Sequence, residues 1–138
     1  EGWAVYAEEL MVARGYAPSD DDRAPLAMEM QQLKMLARGT INAMLDVFVH
    51  AHDLSEAEGL ALMQDRGFQE EGEAVGKWRR ALLTAGQLPT YYVGYRALSG
   101  VANDLRVLHP DWTDREVHDL MLGHGSPAPR HLRTLLGI

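Results

Sequence analysis

One apolar stripe constrains this chain more than any other feature. Leu26, Met30, Leu33, Ala37, Ile41, Met44 and Phe48 recur at steps of three and four, the period of one helix face. A strand cannot carry this pattern, because its side chains alternate faces with a period of two. The stripe therefore predicts a long helix beginning near Pro25, a residue tolerated in a first helical turn.

The remaining segments read the same way. Glu1 to Arg14 places Trp3, Ala7 and Leu10 on one side and is followed by Gly15, a residue suited to a left-handed stop. A polar loop over 17–23 contains the run Asp20-Asp21-Asp22. Ser55 and Glu58 have capping-box spacing and open a helix that Gly67 closes. A fourth helix spans 70–84 with Val75, Trp78 and Leu82 as its apolar side. After the Ala85-Gly86-Gln87-Leu88-Pro89 break, a fifth runs from Thr90 to Leu108. Thr113 and Glu116 form a second capping box for a helix ending at Gly123. Ser126 and Pro127 offer an N-cap and a first-turn proline for a last helix ending near Leu136. The best strand candidate, 90–93 beside Gly94, reads equally well as a first helical turn. No internal repeat or second boundary interrupts the series. The expected fold is all-α, an irregular bundle of about six to seven helices in a single domain over 1–138.

Composition narrows the function. The net charge of −7 argues against nucleic acid or an anionic membrane as partner, since both attract basic patches. Cysteine is absent, which removes disulfides, thiolate metal sites and thiol nucleophiles and fits a reducing cytoplasm. No apolar run approaches the roughly 18 residues needed to span a bilayer. The seven Met residues lie mostly on helical stripes and read as core filler.

Several side chains could carry chemistry. Glu1, Val5, Glu8 and Val12 share one helix side, so the Glu1 carboxylate can project toward a partner helix; a plain helix-start acid explains it equally. Asp46 and His50 stand four apart on one face, where a carboxylate can orient an imidazole. The alternative is a helix-end histidine near the negative pole. His50 and His52 diverge on a helix, and the His-Glu-x-x-His zinc motif is absent. Tyr91, Tyr92 and Tyr95 cluster beside Arg96, and Tyr91 and Tyr95 share a face from which a phenol could donate to an oxyanion. Amphipathic packing with one hydroxyl wet is the simpler account.

Taken together, these islands resemble one family, the bacterial "domain of unknown function 885" proteins, which are helical and related in pattern to zinc peptidases of the thimet oligopeptidase type. Glu1-Gly2-Trp3-Ala4-Val5-Tyr6-Ala7-Glu8 is similar to the family's EGWAxYxE segment. Asp46 and His50 match the ends of a D-T-G-I-H element. Arg80, Gly86-Gln87, Tyr91, Val93 and Gly94 resemble an R…GQ…Y-x-I-G stretch. Leu105-Arg106 and His118-Asp119, leading to Gly125 and Pro127, match a C-terminal pattern.

The resemblance implies a zinc site of two His and one Glu, with the third ligand corresponding to Glu1. The His pair and a general-base Glu would lie on a helix upstream, making this chain the C-terminal portion of a larger metallopeptidase-like hydrolase acting on peptides. Three protein ligands leave a position open, where zinc lowers the pKa of water to roughly 7. Tyr91, with His50 as second candidate, is expected to stabilise the oxyanion, with Asp46 and Glu8 as supporting residues. Alone, the chain is expected to bind zinc poorly, to be inactive, and to expose an apolar patch that a homodimer could cover. A non-catalytic helical scaffold or interaction module remains the alternative, and the upstream sequence discriminates.

Overall fold

The computed structural model describes residues 1–17 and 20–138, so positions 18 and 19 of the expected polar loop lie outside the described residues. Among these residues there are seven α-helices and no strand. In chain order they are α1 (Gly2–Ala13), α2 (Ala24–Ala51), α3 (Glu56–Ala61), α4 (Glu71–Leu83), α5 (Pro89–Leu108), α6 (Asp114–Gly123) and α7 (Pro129–Leu136). A π-helical turn, Leu62–Arg66, extends α3. The all-α bundle expected from the sequence is present.

Local chemistry sets most boundaries. Ser55 accepts from the Glu58 backbone N–H while Glu58 reaches back to the Ser55 N–H, and Thr113 and Glu116 repeat the arrangement at α6. Gly15 follows α1 at φ +78°. The last helix differs from expectation, starting at Pro129 with Ala128 as N-cap and no side-chain cap. A residue before proline is kept out of the helical region, and Ala128 is extended at ψ 133°. The helix therefore cannot start at Pro127.

The packed faces differ more. α2 is 28 residues long, about 42 Å at 1.5 Å per residue, and outreaches its neighbours. Ile41 of the predicted stripe is buried, but Leu26, Met30 and Leu33 stay 62%, 63% and 54% exposed. α1 and α2 instead face each other across a groove lined by Met28, Gln32 and Met35, and the first half of the stripe is left outward. On α4 the buried side is Ala74, Trp78 and Ala81 rather than the predicted Val75-Trp78-Leu82 line, and Leu82 is exposed.

Two apolar clusters result. One joins α1, α5, α6 and α7 through Tyr6, Tyr95, Leu105, Val117, Met121 and Leu132. The other joins α2, the π-turn, α4 and the lead into α5 through Ile41, Leu45, Met63, Trp78 and Leu88. The chain passes from the second cluster at Leu88 into the first along α5, and the seam between them is where a cavity opens.

Candidate active-site cleft

The seam cavity holds about 340 Å³ and is walled by α1, α2, α4 and the first turn of α5. α1 contributes Glu1 and Glu8, two turns apart on one side, and α5 contributes Tyr91 and Tyr92. Three residues singled out in the sequence, Glu1, Glu8 and Tyr91, therefore face one space. Glu1 is exposed and also borders a larger cleft of about 720 Å³ lined by Trp3, Val93, Leu98 and Pro127. The smaller cavity is the better candidate, because it gathers the carboxylates, the phenols and the Lys77 ammonium.

A pair of glycines fixes how closely these groups approach. A Cβ on Gly2 would stand 2.2 Å from the Gly94 carbonyl carbon and 2.5 Å from the Tyr95 nitrogen. α1 and α5 thus touch backbone to backbone at Gly2 and Gly94, which holds Glu1 one residue from the contact and Tyr91 less than one turn from it. No side chain larger than hydrogen is compatible with that approach.

A second set of contacts fixes the orientation of α1. The Arg106 guanidinium donates to the Tyr6 hydroxyl at 2.9 Å, and Tyr6 Oη pairs with His118 Nε2 at 2.7 Å. Arg106 and Arg14 both bind the Asp114 carboxylate. Since arginine can only donate, the Tyr6 proton is assigned to the bond with His118, whose Nε2 then accepts. Burial pushes the His118 pKa down, favouring that neutral form. The hydrogen bond from Arg14, reinforced by Arg106, holds Asp114 at about 2. The opening segment, the Leu105-Arg106 island and the His118-Asp119 island thus converge on one network that orients α1.

The other two islands also meet. Asp46, 5% exposed, accepts from the Gly86 backbone N–H at 3.0 and 3.2 Å. Gly86 stands at φ +77°, so the turn needs glycine there. His50 Nε2 lies 2.9 Å from the Ala81 carbonyl and 3.1 Å from that of Thr84, at the end of α4. Each carbonyl accepts, so that nitrogen carries the proton.

This corrects the sequence expectation for the pair. Asp46 binds the turn before α5 rather than orienting the imidazole, and His50 ties down the α4 terminus and does not line the cavity that holds Tyr91. Their shared effect is to fix where α5 begins, and hence Tyr91. Tyr95 is engaged as well: its hydroxyl donates to Glu9 at 2.9 Å, and burial together with that carboxylate pushes its pKa up to about 12. Of the tyrosine trio, Tyr91 and Tyr92 face the cavity, and among the described residues the Tyr91 hydroxyl has no protein partner.

On the opposite wall the sequence singled out Arg80, within the R…GQ stretch, without giving it a role in a cavity. Arg38 and Asn42 from α2 and Glu73, Lys77 and Arg80 from α4 line the same cavity. The spacing of Glu73, Lys77 and Arg80 at four and three residues was the available signal, since it places all of them on one helix face.

As for a metal, no group of three or more His, Asp or Glu among the described residues is arranged to hold one. The oxygen donors on the α1 wall suit a hard or borderline cation such as zinc. They fit as one carboxylate's share of a larger ligand set, and no more than that share is present. No helix is long and apolar enough to cross a membrane.

A family model described as "Bacterial protein of unknown function (DUF885)" matches residues 1–136. Among solved structures, a candidate lipoprotein of unknown function from Shewanella oneidensis is similar at TM-score 0.86 and 35% identity. The match covers 99% of this chain and 24% of the other, so the chain spans about a quarter of that protein's length. Among curated proteins none matches.

Proposed function

This chain belongs to the bacterial DUF885 family, and we propose that it forms one wall of a zinc-dependent peptidase site completed by upstream polypeptide. The observation that carries this reading is that Glu1, at the start of α1, and Tyr91, on α5, line one cavity together with Glu8. Glu1 is the metal-facing carboxylate of the chain, held in place by the Gly2–Gly94 contact. Glu1, with two imidazoles from upstream polypeptide, would hold the zinc, which would supply Lewis-acid polarisation and an acidified water. Glu8 keeps the α1 wall negative, which favours a cation beside it.

Tyr91 has a free phenol at the start of α5, so its O–H can donate to the oxyanion that develops on an attacked peptide carbonyl. His50 has no part in this reading, because its ring is committed to the α4 carbonyls. The outward apolar residues Leu26, Met30 and Leu33 support further polypeptide as a covering partner, since contiguous apolar faces of that kind are normally covered. In isolation the chain is inactive in this account and self-associates through that face.

Peptide hydrolysis by the zinc-loaded full-length protein is the test. Tyr91→Phe is expected to lower kcat roughly 10²- to 10³-fold with KM little changed. An unchanged kcat removes Tyr91 from the reading. A zinc-loaded protein that cleaves no peptide favours a non-catalytic helical scaffold.

A further inference from the structure

The wall facing Glu1 and Glu8 carries three cations. Arg38 is paired with Glu73, and the Arg80 guanidinium is held by the Gln87 side-chain oxygen. Both are therefore fixed, and only one of the three charges has a carboxylate partner. Lys77 lies between them, half-buried, with no carboxylate within ion-pair distance among the described residues. Burial, with Arg80 and Arg38 adding repulsion, lowers its pKa. Glu73 offsets Arg38, so the charges of Lys77 and Arg80 stay uncompensated on this wall and repel one another unless a further anion sits beside them. Nothing on this wall requires such crowding for packing, since the buried face of α4 is Ala74, Trp78 and Ala81.

We propose that Lys77, flanked by Arg38 and Arg80, receives the terminal carboxylate of a peptide substrate, so that the site works from the carboxyl end of peptides. The proposal rests on the hydrolase reading and specifies its substrate. Glu1 and Glu8 balance the cationic wall from across the cavity. Once a divalent cation takes up the charge of Glu1, the cavity is net positive and suits an anionic chain end. The roughly 340 Å³ of space is at the small end of ligand cavities and has room for the end of a peptide chain. Asn42 and Tyr92 add hydrogen-bonding groups beside the cations.

The test compares two peptides of identical sequence, one with a free carboxyl terminus and one amidated, on the full-length zinc-loaded protein and its Lys77→Met and Lys77→Arg variants. The free acid is expected to have a kcat/KM roughly 10- to 100-fold higher, mainly through KM, as for one charge-assisted hydrogen bond. Lys77→Met should erase that preference and Lys77→Arg should keep most of it. Calorimetric binding of the same peptides to the metal-free protein is the second readout, with a smaller preference for the acid, because Glu1 then keeps its charge, and with loss of that preference in Lys77→Met. Cleavage that treats acid and amide alike overturns this subsite and leaves the hydrolase reading intact. Absence of cleavage together with carboxylate-selective, Lys77-dependent binding overturns the hydrolase reading and leaves a peptide-end binding site. Absence of both overturns both.

Discussion

Tyr6 is nearly fully buried, and its hydroxyl meets two titratable partners at once, the Arg106 guanidinium and the His118 imidazole. Tyr6→Phe keeps the ring packing and removes only the oxygen that satisfies them. It is expected to cost about 1–3 kcal/mol, read as a shift in the denaturant midpoint at unchanged slope. The network also gives stability a pH dependence. His118 has a folded pKa below its ordinary 6.5, so the folded state binds fewer protons and stability falls as pH drops below about 6.5. Asp114, lowered from 3.8 to about 2, contributes stability that is present above pH 4 and lost between about 4 and 2. Tyr95, raised from 10.0 to about 12, works in the opposite sense, its contribution being lost as pH rises from 10 toward 12. Denaturant melts across pH should therefore show a plateau from about 7 to 9 with losses on both sides. At this scale the sequence was legible only where chemistry is local. Asp46 and His50 have the spacing of a pair, yet each is claimed by backbone from α4 and the turn after it. Tyr6 and His118 have no sequence relation and still meet across 112 positions.

Element boundaries other than the start of α7 were read well because caps and turns are local events. Both capping boxes form where Ser55-Glu58 and Thr113-Glu116 predict them. Which face each helix buries was read poorly, because that depends on the neighbour. α2 offers apolar residues on more than one side, and the side turned toward α1 carries Met28, Gln32 and Met35 rather than Leu26, Met30 and Leu33. The Gly2–Gly94 contact is an element-scale feature with a local test. Gly2→Ala places a methyl 2.2 Å from backbone carbon, so α1 and α5 must separate. A loss of about 1–3 kcal/mol is expected, together with loss of any activity that needs Glu1 and Tyr91 in register. Gly76→Ala on the exposed side of α4 meets open space and should instead stabilise by about 0.5–1 kcal/mol. Equal effects at the two glycines would contradict the contact.

The molecule as a whole is two apolar clusters joined where Leu88 leads into α5, with a cavity at their seam that is acidic on the α1 wall and carries Arg38, Lys77 and Arg80 on the α2 and α4 side. Glu1 was identified from the motif around it, and the fold places it in this cavity beside Tyr91. The meeting of Arg38 with Lys77 and Arg80 was not legible, because Arg38 comes from a different helix and shares no motif with them. The central claim is that Glu1 is a zinc ligand of the larger site, and zinc binding by the full-length protein measures it most directly. One zinc per chain is expected. Glu1→Gln should weaken affinity by more than the roughly 10- to 100-fold that loss of an outer-shell partner costs, with the helical fold intact by circular dichroism. A full-length protein that binds no zinc, or whose Glu1→Gln variant binds it as tightly as the native chain, would contradict the account.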